Sequence, residues 1–376
     1  MTNEKIIPFN RPYLTGKEIK YIRQARRRAQ LAGDGYFTRK CQQWLDKNLG
    51  TKKAFLTHSC TSALEMAAVI SNIQAGDEII MPSYTFVSTA NAFVLRGGIP
   101  IFVDIRPDTL NIDEKLIEKA ITPRTKAIVP IHYAGVGCEM DVIMAIAERH
   151  KLLVIEDAAH CVKATYKGRE LGSIGHLGAL SFHETKNIIS GEGGALLIND
   201  RKFVGRAEII WQKGTNRKAF EQGKVDKYTW ADIGSSFLPG EITAAFLWAQ
   251  MQEAAKITQK RLDSWQRYHE LLEPLEKAGE IHRPIVPREC EHNAHMYYIL
   301  LDSLKQREQK LKKLKREGVN AVFHYVPLHS SPAGKKYGRL AGKLPVTQDI
   351  SQRILRLPLF MGLTARQQCT IAGLLK

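Results

Sequence analysis

The sequence predicts an α/β fold: a large, mostly parallel sheet with helices on both faces, followed by a smaller α/β unit. Three observations predict it. Between about residues 50 and 200, short apolar runs alternate with segments of 3.6-residue period. Several of those runs are apolar throughout, as strands buried on both faces tend to be. The 376 residues exceed one typical core and suit two domains.

The elements follow in order. The first thirty or so residues are compatible with packing on either unit. TSALEM and AAVISNI (61–73) read as one helix. DEIIMPS (77–83), PIFVDI (100–105), KAIVPIHY (126–133), LLVIEDAA (152–159), ALSFHE (179–184) and GALLIND (194–200) read as strands. DEKLIEKAI and EMDVIMAIAERH between them are helical in period. Residues 241–275 read as one long helix that links the units. Beyond it, HMYYILL, the basic run KQREQKLKKLKREG (305–318), NAVFHYVP and a final helix complete the small unit. The boundary is drawn between 1–250 and 251–376.

Hydrophobic content of 44% and charged content of 25% are ordinary for a globular protein. No apolar run reaches the roughly eighteen residues of a membrane span. The start, MTNEKIIPFN, lacks an apolar signal core. The six cysteines are scattered with no CxxC pair, which predicts reduced thiols and a cytoplasmic protein. The net charge of +17 is compatible with nucleic acid, membranes or anionic small molecules. The densest basic run, however, mixes in glutamates and apolar residues at helical spacing, the pattern of a solvated helix face. No nucleic-acid signature accompanies it, so no nucleic-acid partner is expected.

Ligands of open α/β sheets bind at strand ends and the loops after them. Four such places carry chemistry-bearing residues. HSCTSALEMA (58–67) sets hydroxyls before a helix whose N-terminus suits a phosphate, although an ordinary N-cap reads the same way. PSYTFVSTAN (82–91) carries Tyr84 and Phe86, aromatics equally at home in a core. EDAAH ends an apolar strand on Asp157, a carboxylate that is costly there unless paired or hydrogen-bonded. SFHETKNIISGEGG sets Lys186 five residues before a glycine turn; a surface lysine and a plain turn would look alike.

Other chemistries fade. Cys290, His292 and His295 in CEHNAHM lack a fourth ligand and metal-site spacing, so no metal is expected. GEGG is not a dinucleotide fingerprint. His183 and Glu184 have no serine or cysteine elbow beside them.

In order, CTSALE, MPSYTFVSTANA, VDIRPDTLNID, HYAGVGCEMD, EDAAH, SFHETKNIISGEGG and HYVPLH resemble the DegT/DnrJ/EryC1/StrS sugar-nucleotide aminotransferases. The likeness runs from PFNRP near the start to RLPLF near the end. It implies the aspartate aminotransferase fold, pyridoxal-phosphate fold type I, and a homodimer with shared active sites. GDGYFTRKCQQWL, VDKYTWADIGSS and AVFHYVPLH resemble, within the family, members acting at C4 of dTDP-4-keto-6-deoxyglucose. Those make dTDP-4-amino-4,6-dideoxygalactose for surface polysaccharide of the enterobacterial common antigen type.

The resemblance assigns roles residue by residue. Lys186 matches the lysine that holds pyridoxal phosphate covalently and then shuttles a proton. Asp157 matches the aspartate on the pyridinium nitrogen. Cys60, Thr61 and Ser181 match the phosphate site, and Phe86 the aromatic stacked on the ring. His160 falls where many members have glutamine near the ring hydroxyl. Ser236 falls where many carry an asparagine that reaches the neighbouring subunit's phosphate; serine keeps a donor there. His324, Tyr325 and His329 match a substrate-contacting stretch. The implied reaction is ping-pong, with glutamate as amino donor. Members that dehydrate at C3 carry histidine in place of the lysine, and Lys186 argues against that chemistry. Aminotransfer at C3, or on another keto-sugar nucleotide, remains open, as does a non-catalytic regulator that binds nucleic acid through its basic surface.

Overall fold

The computed structural model describes residues 6–376. Met1–Lys5, part of the stretch read for a leader, lie outside the described residues.

Seven strands, β1 (Lys53–Thr57), β2 (Glu78–Pro82), β3 (Ile99–Val103), β4 (Thr125–Ile128), β5 (Leu153–Asp157), β6 (Leu177–Ser181) and β7 (Gly194–Ile198), form the body of one sheet. The C-terminal part adds β8 (Tyr297–Leu300), β9 (Arg339–Leu340) and β10 (Ile354–Leu357). The large sheet runs β1-β7-β6-β5-β4-β2-β3-β9. Every pair from β6 to β9 is parallel, whereas β7 runs antiparallel to both neighbours. GALLIND is therefore a strand as read, but a reversed one. Residues 182–193 return the chain from β6 as a loop without a helix, whereas a parallel neighbour is usually reached through a crossover helix.

The strands are apolar on both faces because both faces are covered. Along β7, Ala195 and Leu197 enter one core cluster while Leu196 and Ile198 enter the other. Helices α2 (Tyr36–Leu49), α5 (Met140–His150) and α7 (Glu241–Gln252) cover the first face. Helices α3 (Cys60–Ile70), α4 (Val87–Val94) and α6 (Val204–Trp211) cover the second. A third cluster joins α8 (Ala254–Lys277), β8, α9 (Leu304–Arg316), β10 and α11 (Ala365–Leu375).

Several expectations need correction. The helix read over 241–275 is two helices. Glu253 breaks them with φ −104° and ψ 8°, and its carboxylate pairs with Lys17 and Lys256. Strand β1, in TKKAFLT, escapes the sequence reading because its apolar run is only Ala54–Leu56, set between two lysines and Thr57. KAIVPIHY stays a strand only to Ile128: Pro130 has no N–H for a ladder, and Tyr133–Gly135 turn as a 3₁₀ segment. ALSFHE stops at Ser181, where the chain turns into the Lys186 loop. NAVFHYVP forms no strand; Val322 alone pairs with Arg356.

The N-terminal segment touches both parts. Ile7 exchanges backbone hydrogen bonds with Gly318 and Asn320 at 2.8 and 3.0 Å. Helix α1 (Glu18–Arg27) packs on α7, where Gln250 donates to Glu18 at 2.9 Å. The C-terminal part also reaches the large sheet. Asp104, just after β3, accepts from the amides of Val346 and Thr347 at 3.0 and 2.8 Å and so caps α10 (Pro345–Arg353). Among the described residues no helix is long and apolar enough to cross a membrane, and all six cysteines are free.

Candidate active site

The carboxyl ends of the parallel strands open onto a cavity of about 610 Å³. Cys60, Thr61, Phe86, Asp157, His160, Ser181, Lys186, His324 and Tyr325, all named from the sequence, line it. Two do not. His329 lies behind the wall, with Nδ1 2.7 Å from the Ser83 hydroxyl, and holds the loop that carries His324 and Tyr325. Ser236 is exposed on the surface, away from this chain's own cavity.

Lys186 sits in the connection between β6 and β7. Its side chain makes no hydrogen bond or ion pair among the described residues. The residue is half-buried, but its amine lies far enough inside for burial to lower its pKa from the ordinary 10.5, against the opposing pull of Cys60 and Asp157. The glycine turn after it is steric in purpose. A Cβ on Gly194 would stand 2.3 Å from the Ser59 carbonyl carbon and 2.5 Å from the Cys60 amide. Only glycine lets β7 pass against the start of α3.

That start is an anion site in form. Ser59 caps α3, its hydroxyl accepting from the Ser62 amide at 3.0 Å. The first amides of the helix, at Cys60 and Thr61, have no intrahelical partner, and the helix dipole favours negative charge there. The Thr61 and Ser88 hydroxyls lie 2.7 Å apart beside it. Phe86, 56% exposed at the start of α4, presents a free aromatic face to the cavity.

Asp157 ends β5 and is 6% exposed. Burial raises its pKa from the ordinary 3.8. Opposing this are a 2.7 Å hydrogen bond from Thr89, a 3.2 Å bond from the Ala159 amide and the nearby Lys186 amine. His160, three residues on, has Nε2 3.4 Å from the Tyr325 hydroxyl, and burial pushes its pKa well below the ordinary range.

Arg356, on β10, is a site residue that the sequence motifs do not announce. Its guanidinium has no carboxylate partner among the described residues, its Nε is buried without a hydrogen bond, and it lies 4.7 Å from the Phe9 ring. An unpaired, partly buried cation at a cavity wall is an incomplete site for an anion. The available signal is a lone arginine among leucines in ILRLPLF. Thr89, Ser88 and His295 also escape the sequence reading as site residues, although the first two stand in PSYTFVSTAN. Together the cavity offers an amine drawn toward its neutral form, a carboxylate, an aromatic face, an anion-binding helix end and a free guanidinium. That set suits amine chemistry on a carbonyl compound with anionic groups.

Comparison with known proteins agrees. The profile of the DegT/DnrJ/EryC1/StrS aminotransferase family matches residues 12–376. The chain is 32% identical to the UDP-4-amino-4-deoxy-L-arabinose--oxoglutarate aminotransferase of Shewanella sediminis, over 96% of this chain and 94% of that one. It is 33% identical to the spore coat polysaccharide biosynthesis protein SpsC of Bacillus subtilis, over 94% and 92%. Among solved structures, the sugar aminotransferase Spr1654 of Streptococcus pneumoniae in its PMP form superposes with a TM-score of 0.90 at 26% identity, over 99% and 97% of the two chains.

Proposed function

Because the chain belongs to the DegT/DnrJ/EryC1/StrS aminotransferase family, we propose that it transfers an amino group from glutamate to C4 of dTDP-4-keto-6-deoxyglucose, giving dTDP-4-amino-4,6-dideoxygalactose for a surface polysaccharide. It is a pyridoxal-phosphate-dependent sugar aminotransferase of fold type I. The observation that carries the residue roles is the shared cavity of Lys186 and Asp157, an amine made less basic by burial beside a buried carboxylate.

The residues present fit the cofactor. The α3 N-terminus, Thr61 and Ser181 would hold its phosphate, and Phe86 would lie against its ring. Asp157 would pair with the ring nitrogen, and His160 would contact the ring hydroxyl. When bound, pyridoxal phosphate supplies an electron sink for the carbon that loses its proton. Lys186 takes that proton and returns it, a role worth about 10²–10⁴-fold in rate. Arg356 takes a carboxylate of glutamate, which leaves as 2-oxoglutarate. At the keto carbon of the sugar the C=O bond is then replaced by C–N and C–H bonds and the oxygen leaves as water, matching the water taken up when 2-oxoglutarate is released.

The unit is a homodimer in this reading. Ser236 of the partner subunit completes the phosphate site, and residues 1–250 and 251–376 act as large and small domains. The free cysteines fit a cytoplasmic reaction. The name of the Shewanella relative favours a second reading, a UDP-linked 4-keto sugar as acceptor. Purified protein, glutamate and a panel of keto-sugar nucleotides, with products assigned by NMR, decide between them. Amination of the dTDP-4-keto sugar at C4 supports the proposal; exclusive amination of a UDP sugar, or at C3, overturns it.

A further inference from the structure

His295 reads in the sequence as part of a strand-entry loop, yet its ring lies flat on that of His160, with centroids 4.1 Å apart and planes 16° apart. Little else holds the His160 ring. Its Nδ1 is buried without a partner, its Nε2 has only the 3.4 Å contact to Tyr325, and the Tyr133 ring stands edge-on at 6.3 Å.

His295 itself is held firmly. The Asn187 side-chain N–H donates to the Asn293 carbonyl at 2.8 Å, which turns its Oδ1 toward His295. That oxygen lies 3.3 Å from His295 Nδ1 and can only accept, so Nδ1 carries the hydrogen. Arg261, fully inside α8, donates to the carbonyls of Ala294 and His295 at 3.0 and 2.8 Å. Asn293 donates to the His160 and Val162 carbonyls at 2.7 and 2.9 Å. The segment 293–295 thus ties the loop after β5 to the residue next to Lys186.

We propose that His295 is a positioning residue, a flat platform that fixes the plane of His160 as a cofactor contact. The inference rests on the reading of the cavity as a cofactor site. The charged groups around the pair point the same way. Arg356 and Arg261 face it as cations from β10 and α8, the Lys186 amine faces it from the β6–β7 loop, and His324, held well below its ordinary range by burial, Tyr325 and Tyr133 are neutral. Asp157, three residues from His160, is committed to Thr89 and Ala159. A proton on either stacked ring meets repulsion from these cations, and burial pushes both pKa values well down. Two rings this close cannot readily carry charge together.

The test uses NMR of histidine-labelled apoprotein and, separately, pyridoxal phosphate binding followed by absorbance. In the wild type, His160 stays neutral well below the ordinary pH of about 6.5. His295→Ala should bring its titration back toward that value and weaken cofactor binding about tenfold, the lower end of what groups orienting a metal ligand contribute. His295→Phe, which keeps a flat ring, should restore most of both. If His295→Ala only lowers thermal stability and leaves the titration and dissociation constant within about twofold, the platform role is overturned. It is overturned equally if His295→Phe behaves like His295→Ala. Should His295→Ala not fold, Asn187→Ala, which frees the platform's anchor, must reproduce the shifted titration or the role falls. Wild-type protein that binds no pyridoxal phosphate would sink the cofactor reading instead, while the apoprotein titration still tests the stack.

Discussion

Thr89 donates its hydroxyl hydrogen to Oδ2 of Asp157 across 2.7 Å. The Thr89 oxygen also lies 2.9 Å from the Thr85 hydroxyl. A carboxylate only accepts, so Thr89 donates to Asp157 and Thr85 donates to Thr89. A relay of two hydroxyls, Thr89 in the first turn of α4 and Thr85 just before that helix, thus stabilises the charged form of an acid that burial would otherwise neutralise. Thr89→Val keeps the shape and deletes the donor. Hydrogen bonds to charged groups contribute ~1.5–3 kcal/mol, so cofactor affinity at neutral pH should fall about 10–150-fold. The acid limb of the binding–pH curve should move to higher pH; an unmoved limb would separate Thr89 from the charge on Asp157.

Lys186→Ala should leave the fold intact and reduce transamination by at least the ~10²–10⁴-fold attributed to a proton shuttle. Borohydride reduction of the wild-type holoenzyme should leave the cofactor on the peptide containing Lys186. Label on any other lysine would overturn the assignment.

Asp157→Asn should fold and turn over poorly. If a buried ring charge loses its partner, cofactor binding should weaken by ~3–5 kcal/mol. The apoprotein should respond in the opposite sense. Burial raises the folded-state pKa of Asp157 above the ordinary 3.8, so the folded state holds its proton longer than the unfolded chain. Its contribution to stability is therefore lost as pH rises from 3.8 through the raised value. The asparagine variant should lack that loss, giving an apoprotein at least as stable at neutral pH by thermal melts. A clear drop in apoprotein melting temperature would contradict the role of charge.

Arg356→Met should raise the KM for glutamate, lowering kcat/KM of the donor half-reaction about 10–150-fold, the size of a charge-assisted hydrogen bond of ~1.5–3 kcal/mol. The sugar half-reaction, which brings no carboxylate to the reacting carbon, should change far less. Single-turnover spectra with each substrate separate the two. An equal loss in both halves would mean that Arg356 shapes the pocket without selecting the donor.

The exposed apolar residues near Ser236, with Trp230 84% and Tyr228 55% exposed, fit an interface core better than a solvated loop. A dimer burying more than ~2,000 Å² is expected. Mixing Lys186→Ala with a bulky replacement at Ser236, under subunit exchange, should regenerate one intact site per mixed dimer. No recovery after proven exchange, or a fully active monomer by light scattering, would remove the shared site.

What is legible in the sequence follows period and strand ends. Buried strands such as LLVIED announce themselves by continuous apolar runs, and Asp157 stands out because a carboxylate there needs a reason. Lys186, Thr61 and Ser181 become readable only as an ordered set, since each alone looks like a surface lysine or a helix cap. Strand β1 offers only Ala54, Phe55 and Leu56 as an apolar run, and nothing local in the sequence marks Glu253 as the break between two helices. The reversal of β7 leaves no mark, because strands buried on both faces look alike in either direction. Arg356 and His295 lie over a hundred residues from the other half of the site. Nothing local distinguishes an unpaired arginine from a solvated one, or a stacked imidazole from a loop histidine.

Strand β9 contributes only Arg339 and Leu340, yet it occupies the outermost place in the sheet, beside β3. Without it, β3 would be a bare edge, with Pro100 as its only built-in blunting device. An apolar edge of that kind is a template for another chain. The two-residue strand pairs with Ile101 and Phe102 and so covers part of that edge. Fragments ending before residue 339 lose this cover together with β10 and α11 of the third cluster, and should be prone to aggregate although Lys186 and Asp157 are both still present.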